Sequence, residues 1–205
     1  MIGVDARAAV FGPGAEDISR YVDILASRGI DWGLLGPREG DRLWARHVLN
    51  SVACADLLPE GASVVDVGSG AGLPGIPLAI HRRDLRVVLL ESLLRRARFL
   101  EQAVDDLGLQ DRVAVVRARA EDHGGRYDAV VSRAVAPLPR LVEWCAPLMA
   151  RGGRIVALKG ASAIAELAEA APVLRRSGLV ARVVERPVPE TDEVTWAVEV
   201  RRPTG

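Results

Sequence analysis

Two carboxylates and a run of glycines carry the first chemical signal in this sequence. Residues 66–75 read DVGSGAGLPG, four glycines in ten positions, directly after the apolar run Ser63-Val64-Val65. So much glycine costs backbone entropy and offers no side chains to pack, so something must approach the main chain closely. Asp66 stands at the entrance of the loop, and Glu91 follows nineteen residues after Gly72. Gly70 to Gly75 match the G-x-G-x-x-G spacing of a dinucleotide-binding turn. The register argues against that ligand. Gly68, Gly70 and Gly72 follow Asp66 at even spacing, and a carboxylate this close to a pyrophosphate would repel it.

A ligand with cationic groups and no phosphates suits the pattern better. S-adenosylmethionine offers an ammonium and a sulfonium to Asp66, a carboxylate to the free amides of the loop, and ribose hydroxyls to Glu91. Glu91 alone fits a nicotinamide dinucleotide equally well; Asp66 separates the two. An ordinary strand–turn–helix with a surface Glu is the plain alternative. After the third expected strand come Ala120 and Glu121. Their backbone amides are expected to read an adenine edge, with a charged capping turn as the alternative.

The acceptor is read from Ser132 to Pro139, SRAVAPLP, after the fourth expected strand. The Asn/Asp-Pro-Pro-aromatic motif of amine methylases is missing there, as is the Pro-Cys of enzymes that attack pyrimidine carbon. No His/Asp pair stands near to deprotonate a hydroxyl. Guanine N7 needs no base, because it has a free lone pair and no proton to lose, so catalysis reduces to positioning. Arg133 is expected to hold guanine O6, a phosphate or the cofactor carboxylate. Lys159, the only lysine, ends the fifth expected strand and is expected to contact a phosphate at the crevice rim. Arg46 and His47 in WARHVLNS are expected to face RNA, simple packing of His47 being the alternative. Arg95 and Arg96 belong to a stretch from Arg82 to Arg98 that holds six arginines, and they are expected to contact RNA as well.

The elements that must position these groups follow from hydrophobic periodicity. Ile18, Tyr21, Val22 and Leu25 recur at helical spacing, and Leu43 to Ala55 mark a second amphipathic helix with Asp41 as its N-cap. From residue 63 short β-branched runs alternate with helical stretches. Strands are expected at Ser63–Val67, Arg86–Glu91, Val113–Arg117, Ala129–Ser132 and Arg154–Leu158. Helices are expected at Leu73–His81, Leu93–Leu107, Pro137–Met149 and Ser162–Arg176, with a short turn at Glu121–Gly124. This alternation implies a mostly parallel sheet covered on both faces. Leu179–Glu185 and Val194–Arg201 leave no room for a crossover helix and should pair antiparallel at one edge. The expected fold is α/β and Rossmann-like, with residues 1–60 as a short N-terminal helical cap and 61–205 as the main domain.

Bulk composition bounds the rest. The chain has 205 residues, 49% of them hydrophobic, with 27 basic against 27 acidic side chains. One compact unit is expected, with no strong overall attraction to nucleic acid or membrane. That neutrality motivates the alternative of a methyltransferase acting on a small molecule. A binding protein that keeps only the fold is disfavoured by the intact loop with both acids. Twenty-six of the 27 cations are Arg, as GC-rich coding would give; Arg also suits bidentate phosphate and base recognition. Cys54 and Cys145 lack metal-ligand spacing and read as buried thiols. With no signal-peptide pattern and no apolar run near the roughly 18 residues of a membrane span, the expectation is a cytoplasmic protein without a metal.

Taken together, DVGSGAGLPGIPLAI, LLESLLRRARFL, RYDAVVSRAVAPLPRL and IVALKG resemble the bacterial 16S ribosomal RNA guanine-N7 methyltransferase family, also called glucose-inhibited division protein B. The upstream ARHVLNS is similar to that family's Arg-His…Ser helix. The resemblance spans about residues 41 to 200. It implies a Rossmann-like methyltransferase fold, S-adenosylmethionine as cofactor, and a guanine near the decoding site of 16S rRNA, free or in the 30S subunit. It places cofactor contacts at Gly68, Leu73, Ala120, Glu121 and Arg133. A monomer is expected. Two places depart from the family pattern: WGLLG at residues 32–36 replaces an Asn-Leu-Thr stretch, and Asn50 stands where an Asp is usual.

Overall fold

The computed structural model describes residues 4–36, 39 and 43–203. Runs rich in Val, Leu and Ile form β1 (Ser63–Val67), β2 (Arg86–Leu90), β3 (Val113–Val116), β4 (Tyr127–Arg133) and β5 (Met149–Leu158), followed by β6 (Val180–Pro187) and β7 (Val194–Arg201). The helices are α1 (Val4–Phe11), α2 (Ala15–Ile24), α3 (Asn50–Val52), α4 (Gly75–His81), α5 (Leu94–Leu107), α6 (Leu138–Cys145) and α7 (Ala163–Arg176). The sheet order is β3-β2-β1-β4-β5-β7-β6. Strands β1 to β5 run parallel, and β7 is antiparallel to both β5 and β6. The expected antiparallel pair is present, with β7 inserted and β6 outermost.

This order matters for function. The chain runs outward from β1 to β3, then returns to add β4 on the other side of β1. Open α/β sheets bind ligands where the strand order reverses, outside the carboxyl ends of the strands. The loops after β1 and β4 therefore line one crevice. Val65 pairs with Val88 of β2 on one side and Val130 of β4 on the other, which fixes the two loops at the same height.

Each face of the sheet has its own core. On one, α4 and α5 pack with the cap, whose Phe11, Ile18, Tyr21, Leu25 and Leu43 join Val64, Leu89 and Phe99 in a single cluster. On the other, α6 and α7 cover Val65, Val130 and Ile155. Cys54 and Cys145 are both buried free thiols, as expected, and burial pushes each up to about 12.

Several boundaries differ from expectation for local reasons. Helix α6 stops at Cys145 rather than Met149, because Pro147 follows its C-cap Ala146 and cannot continue the helix. Strand β5 begins early at Met149 and then bulges, so that its pairing with β4 jumps from Tyr127↔Met149 to Ala129↔Arg154. The second cap helix opens as a π-helical stretch, Leu43–Leu49, before α3. Asp41, its expected N-cap, lies outside the described residues. No helix among the described residues is long and apolar enough to cross a membrane.

Candidate active site

The glycine loop leaves β1 with Gly68, Gly70 and Gly72 all at positive φ (70°, 58° and 97°). Side chains rarely adopt that conformation. The close approach that the sequence demands is made first by the protein itself. A Cβ on Gly68 would lie 2.6 Å from Val135 Cγ2, and one on Gly75 would lie 2.4 Å from Leu89 Cδ2 and 2.8 Å from Asp66 Oδ2. From the cap, the Tyr21 hydroxyl donates to the Ala71 carbonyl at 2.8 Å, and Leu73 is buried beside it. Gly75→Ala is therefore expected to overpack the first turn of α4, at about 1–3 kcal/mol. Thermal unfolding should show the midpoint lowered by roughly 2–10 °C; an unchanged midpoint would contradict the packing described.

Asp66 is corrected by the structure. Sequence reasoning put its carboxylate at the mouth of the loop, facing a cationic ligand. It is instead fully buried. Its Oδ2 accepts the Gly75 amide at 3.0 Å, and its Oδ1 has no hydrogen-bond partner among the described residues. Burial pushes its pKa up to about 7, against the Gly75 amide and the nearby Arg133 charge, which both act to lower it. Asp66 therefore acts on the loop rather than on the crevice, and does not itself discriminate against a pyrophosphate. The folded chain holds this proton more tightly than the unfolded chain, so the associated stability is fully present below the ordinary carboxylate pKa and is lost as pH rises through about 7. Urea midpoints should record that loss between pH 4 and 8, and Asp66→Asn should remove it. A wild-type slope in the variant would refute the assignment.

Glu91 lies just after β2 and is buried. Its Oε2 accepts the Gly70 amide at 3.0 Å and its Oε1 the Leu93 amide at 2.9 Å. It thereby couples the glycine loop to the start of α5. Beside it opens a cavity of about 350 Å³, bordered by Gly68, Glu91, Arg96, Ala120, Glu121 and Trp144. Ala120 and Glu121 open a 3-10 turn, so their amides have no acceptor within that turn. A carboxylate, two such amides and an aromatic ring form a donor and acceptor set that fits a nucleoside.

A second cavity, of about 770 Å³, lies across the loop after β4 and is bordered by Arg46, His47, Asn50, Arg133 and Lys159. Ala134 and Val135 line both cavities and form the wall between them. Ala134 is held at φ 55°, a strained backbone for a residue with a side chain, of the kind that clusters at functional sites. Arg133 donates to the Arg46 carbonyl at 3.1 Å and to His47 Nδ1 at 3.0 Å. Lys159 is again a correction. Its ammonium faces inward, 8% exposed, bonded to the Ala136 carbonyl at 2.6 Å and to Glu166 Oε2 at 2.7 Å. It braces the wall, with two of its three N–H donors engaged there.

Comparison with known proteins gives this geometry a family. The profile of rRNA small subunit methyltransferase G matches residues 14–190. The chain belongs to that family. A Mycobacterium marinum protein named ribosomal RNA small subunit methyltransferase G is 55% identical over 179 residues, covering 85% of this chain and 78% of the relative. One of the same name from Kineococcus radiotolerans is 47% identical over 207 residues, covering 100% of this chain and 82% of the relative. Among solved structures, an S-adenosylmethionine-dependent O-methyltransferase from Thermotoga maritima aligns with a TM-score of 0.57 at 21% identity, over 76% of this chain and 65% of that one. A ribosomal protein L11 methylase from Lactobacillus delbrueckii aligns with a TM-score of 0.57 at 14% identity, over 76% and 77%. At those identities the likeness is one of fold. The family assignment bears out the resemblance read from the motifs, and with it the enzyme class and the methyl donor.

The remaining expected RNA contacts are spread over two elements. Arg46 is 59% exposed at the rim of the larger cavity. Arg95 and Arg96 are exposed on the first turn of α5, with Arg96 4.0 Å from Glu91 and bordering the smaller cavity. His47 does not face outward. Its side chain is 13% exposed, with Nε2 2.7 Å from Glu39 Oε2. Three contributors are not legible in the sequence: Tyr21 is expected only on an apolar helix face, Val135 has no role of its own within SRAVAPLP, and Trp144 carries no site expectation. A tyrosine at a core position, whose hydroxyl needs a partner when buried, was the available signal for the first.

Proposed function

We propose that this chain transfers the methyl group of S-adenosylmethionine to N7 of a guanine in 16S ribosomal RNA near the decoding site. One observation carries the reading: two cavities at the switch point of the sheet share a wall two residues thick. The smaller cavity suits the nucleoside of the cofactor, with Glu91 taking the ribose hydroxyls and the Ala120 and Glu121 amides facing the adenine edge. The amides of the glycine loop and Arg133 serve the amino-acid end, and Asp66 braces the loop from behind through Gly75. The cofactor supplies an electrophilic methyl group. The larger cavity receives the base.

The acceptor chemistry follows from what surrounds the wall. Both ring nitrogens of His47 are engaged, and the Lys159 and Glu166 side chains are bonded to each other. None of the three stands free to remove a proton; Glu169 is the other carboxylate bordering the larger cavity. N7 requires no such step, so holding the base in line with the methyl group is sufficient. In this reading residues 1–60 form the cap that helps present the RNA, 61–205 form the catalytic domain, and Arg46, Arg95 and Arg96 contact the phosphate backbone. The protein works in the cytoplasm, as a monomer and without a metal.

The test is nucleoside mass spectrometry of 16S rRNA from a strain lacking the gene. Loss of one 7-methylguanosine, restored by the gene in trans, is expected. Purified chain incubated with 30S subunits and with naked 16S rRNA then identifies the form it methylates. An unchanged 7-methylguanosine content in the deletion strain would overturn the reading.

A further inference from the structure

Arg133 is the junction of this site. It ends β4, immediately before the Ala134–Val135 wall, and lies close to buried Tyr21 and Asp66 on its inner side. A guanidinium has five N–H donors in a fixed fork and no acceptor, so its position is set by the acceptors offered to it. Two are supplied by neighbouring residues of the cap, the Arg46 carbonyl and the His47 ring. The carbonyl accepts at any pH. The ring does not.

The contacts fix the chemical state of that ring. Arg133 can only donate, so Nδ1 of His47 must be the bare nitrogen. Nε2, 2.7 Å from the Glu39 carboxylate, must then carry the hydrogen. Both nitrogens are committed and the ring is neutral. A proton on Nδ1 would turn the acceptor into a second cation facing the guanidinium.

We infer that His47 is a positioning residue for methyl transfer, its neutral Nδ1 holding the Arg133 guanidinium beside the wall that separates the two cavities. The inference rests on the proposed reading of the site, in which Arg133 serves the cofactor. It gives the reaction a dependence on pH that originates outside the reacting groups. Among the described residues, the charged groups facing the ring are Glu39 from the preceding segment, Arg46 on its own turn and Arg133 from β4. Burial is the largest influence and lowers the pKa of His47; the Glu39 hydrogen bond opposes it, and Arg133 and Arg46 add to it. The ring therefore stays neutral at pH 7 and gains its proton only below the ordinary histidine value, which releases Arg133.

Calorimetry of S-adenosylmethionine binding to the full chain, from pH 5 to pH 8, tests this with two variants. In His47→Asn the amide oxygen stands where Nδ1 was and accepts at every pH. In His47→Gln the oxygen is displaced toward the Nε2 position. At pH 7.5 His47→Asn should keep most of the affinity of the unmodified chain, and His47→Gln should bind about tenfold more weakly, the order of one hydrogen bond to a charged group. Toward pH 5 the unmodified chain should weaken relative to His47→Asn, the titration of Asp66 being common to both. The inference is overturned if His47→Asn and His47→Gln are equally impaired while both melt as the unmodified chain does, or if the ratio of unmodified to His47→Asn affinity is the same at pH 5 as at pH 7.5. No heat of binding from the unmodified chain at pH 7.5 would remove the cofactor reading itself, and this inference with it.

Discussion

Replacing Arg133 with alanine is expected to lower methylation of the RNA by about a hundredfold or more while leaving the chain folded. The guanidinium makes two hydrogen bonds to the cap, at 3.1 Å to the Arg46 carbonyl and at 3.0 Å to His47 Nδ1. In the proposed reading the guanidinium also bonds the cofactor, and bonds from a charged donor contribute about 1.5–3 kcal/mol each, so two such bonds amount to about two decades or more in rate. The two hydrophobic clusters are built without this side chain, so the fold should persist, with a lower melting point from the lost cap bonds. Arg133→Lys should restore little of the activity, because an ammonium on a flexible stem cannot reproduce the planar fork. Steady-state methylation of the RNA, with thermal melts as the folding control, checks both variants. Activity of Arg133→Ala within a few-fold of the unmodified chain would contradict the role assigned.

Glu91→Ala should act on the other cavity. Its two oxygens satisfy the Gly70 and Leu93 amides, so one carboxylate sets both the loop after β1 and the entry to α5. Truncation leaves both amides without their acceptor, at about 1–3 kcal/mol for each that stays buried. It also deletes the group that takes the ribose hydroxyls. Affinity for S-adenosylmethionine should fall by about a hundredfold, with a lower melting point. Glu91→Gln keeps one carbonyl oxygen and should fall by only about tenfold. Calorimetry reads both losses directly. If the two variants bind alike and near the unmodified level, the smaller cavity does not hold the nucleoside.

The elements legible from sequence are those whose signal is local. The β-branched runs along the chain mark the strands, and the glycine spacing after β1 and the acid after β2 lie within some thirty residues of one another. Contacts made across the fold were not legible. Tyr21 reaches Ala71 fifty residues away, and Arg133 reaches His47 across eighty-six. Periodicity shows which face of an element turns inward, not which partner it meets. Lys159 and Asp66 show the limit clearly. Both are charges near strand ends. Whether each points outward or inward is settled by a partner seven to nine residues on, Glu166 for one and the Gly75 amide for the other, which no periodicity identifies. The π-helical stretch at Leu43–Leu49 was read as α-helix because two turns are too short for a hydrophobic pattern to distinguish the two.

The most direct test of two chambers meeting at one thin wall is a crystal structure of the chain grown with S-adenosylmethionine. The expected density has ribose hydroxyls on the Glu91 carboxylate, adenine against Ala120 and Glu121, and the methyl-bearing end at Ala134–Val135, facing the chamber that His47 and Arg133 border. Density for the nucleoside in that larger chamber, or on no part of the crevice, would contradict the account.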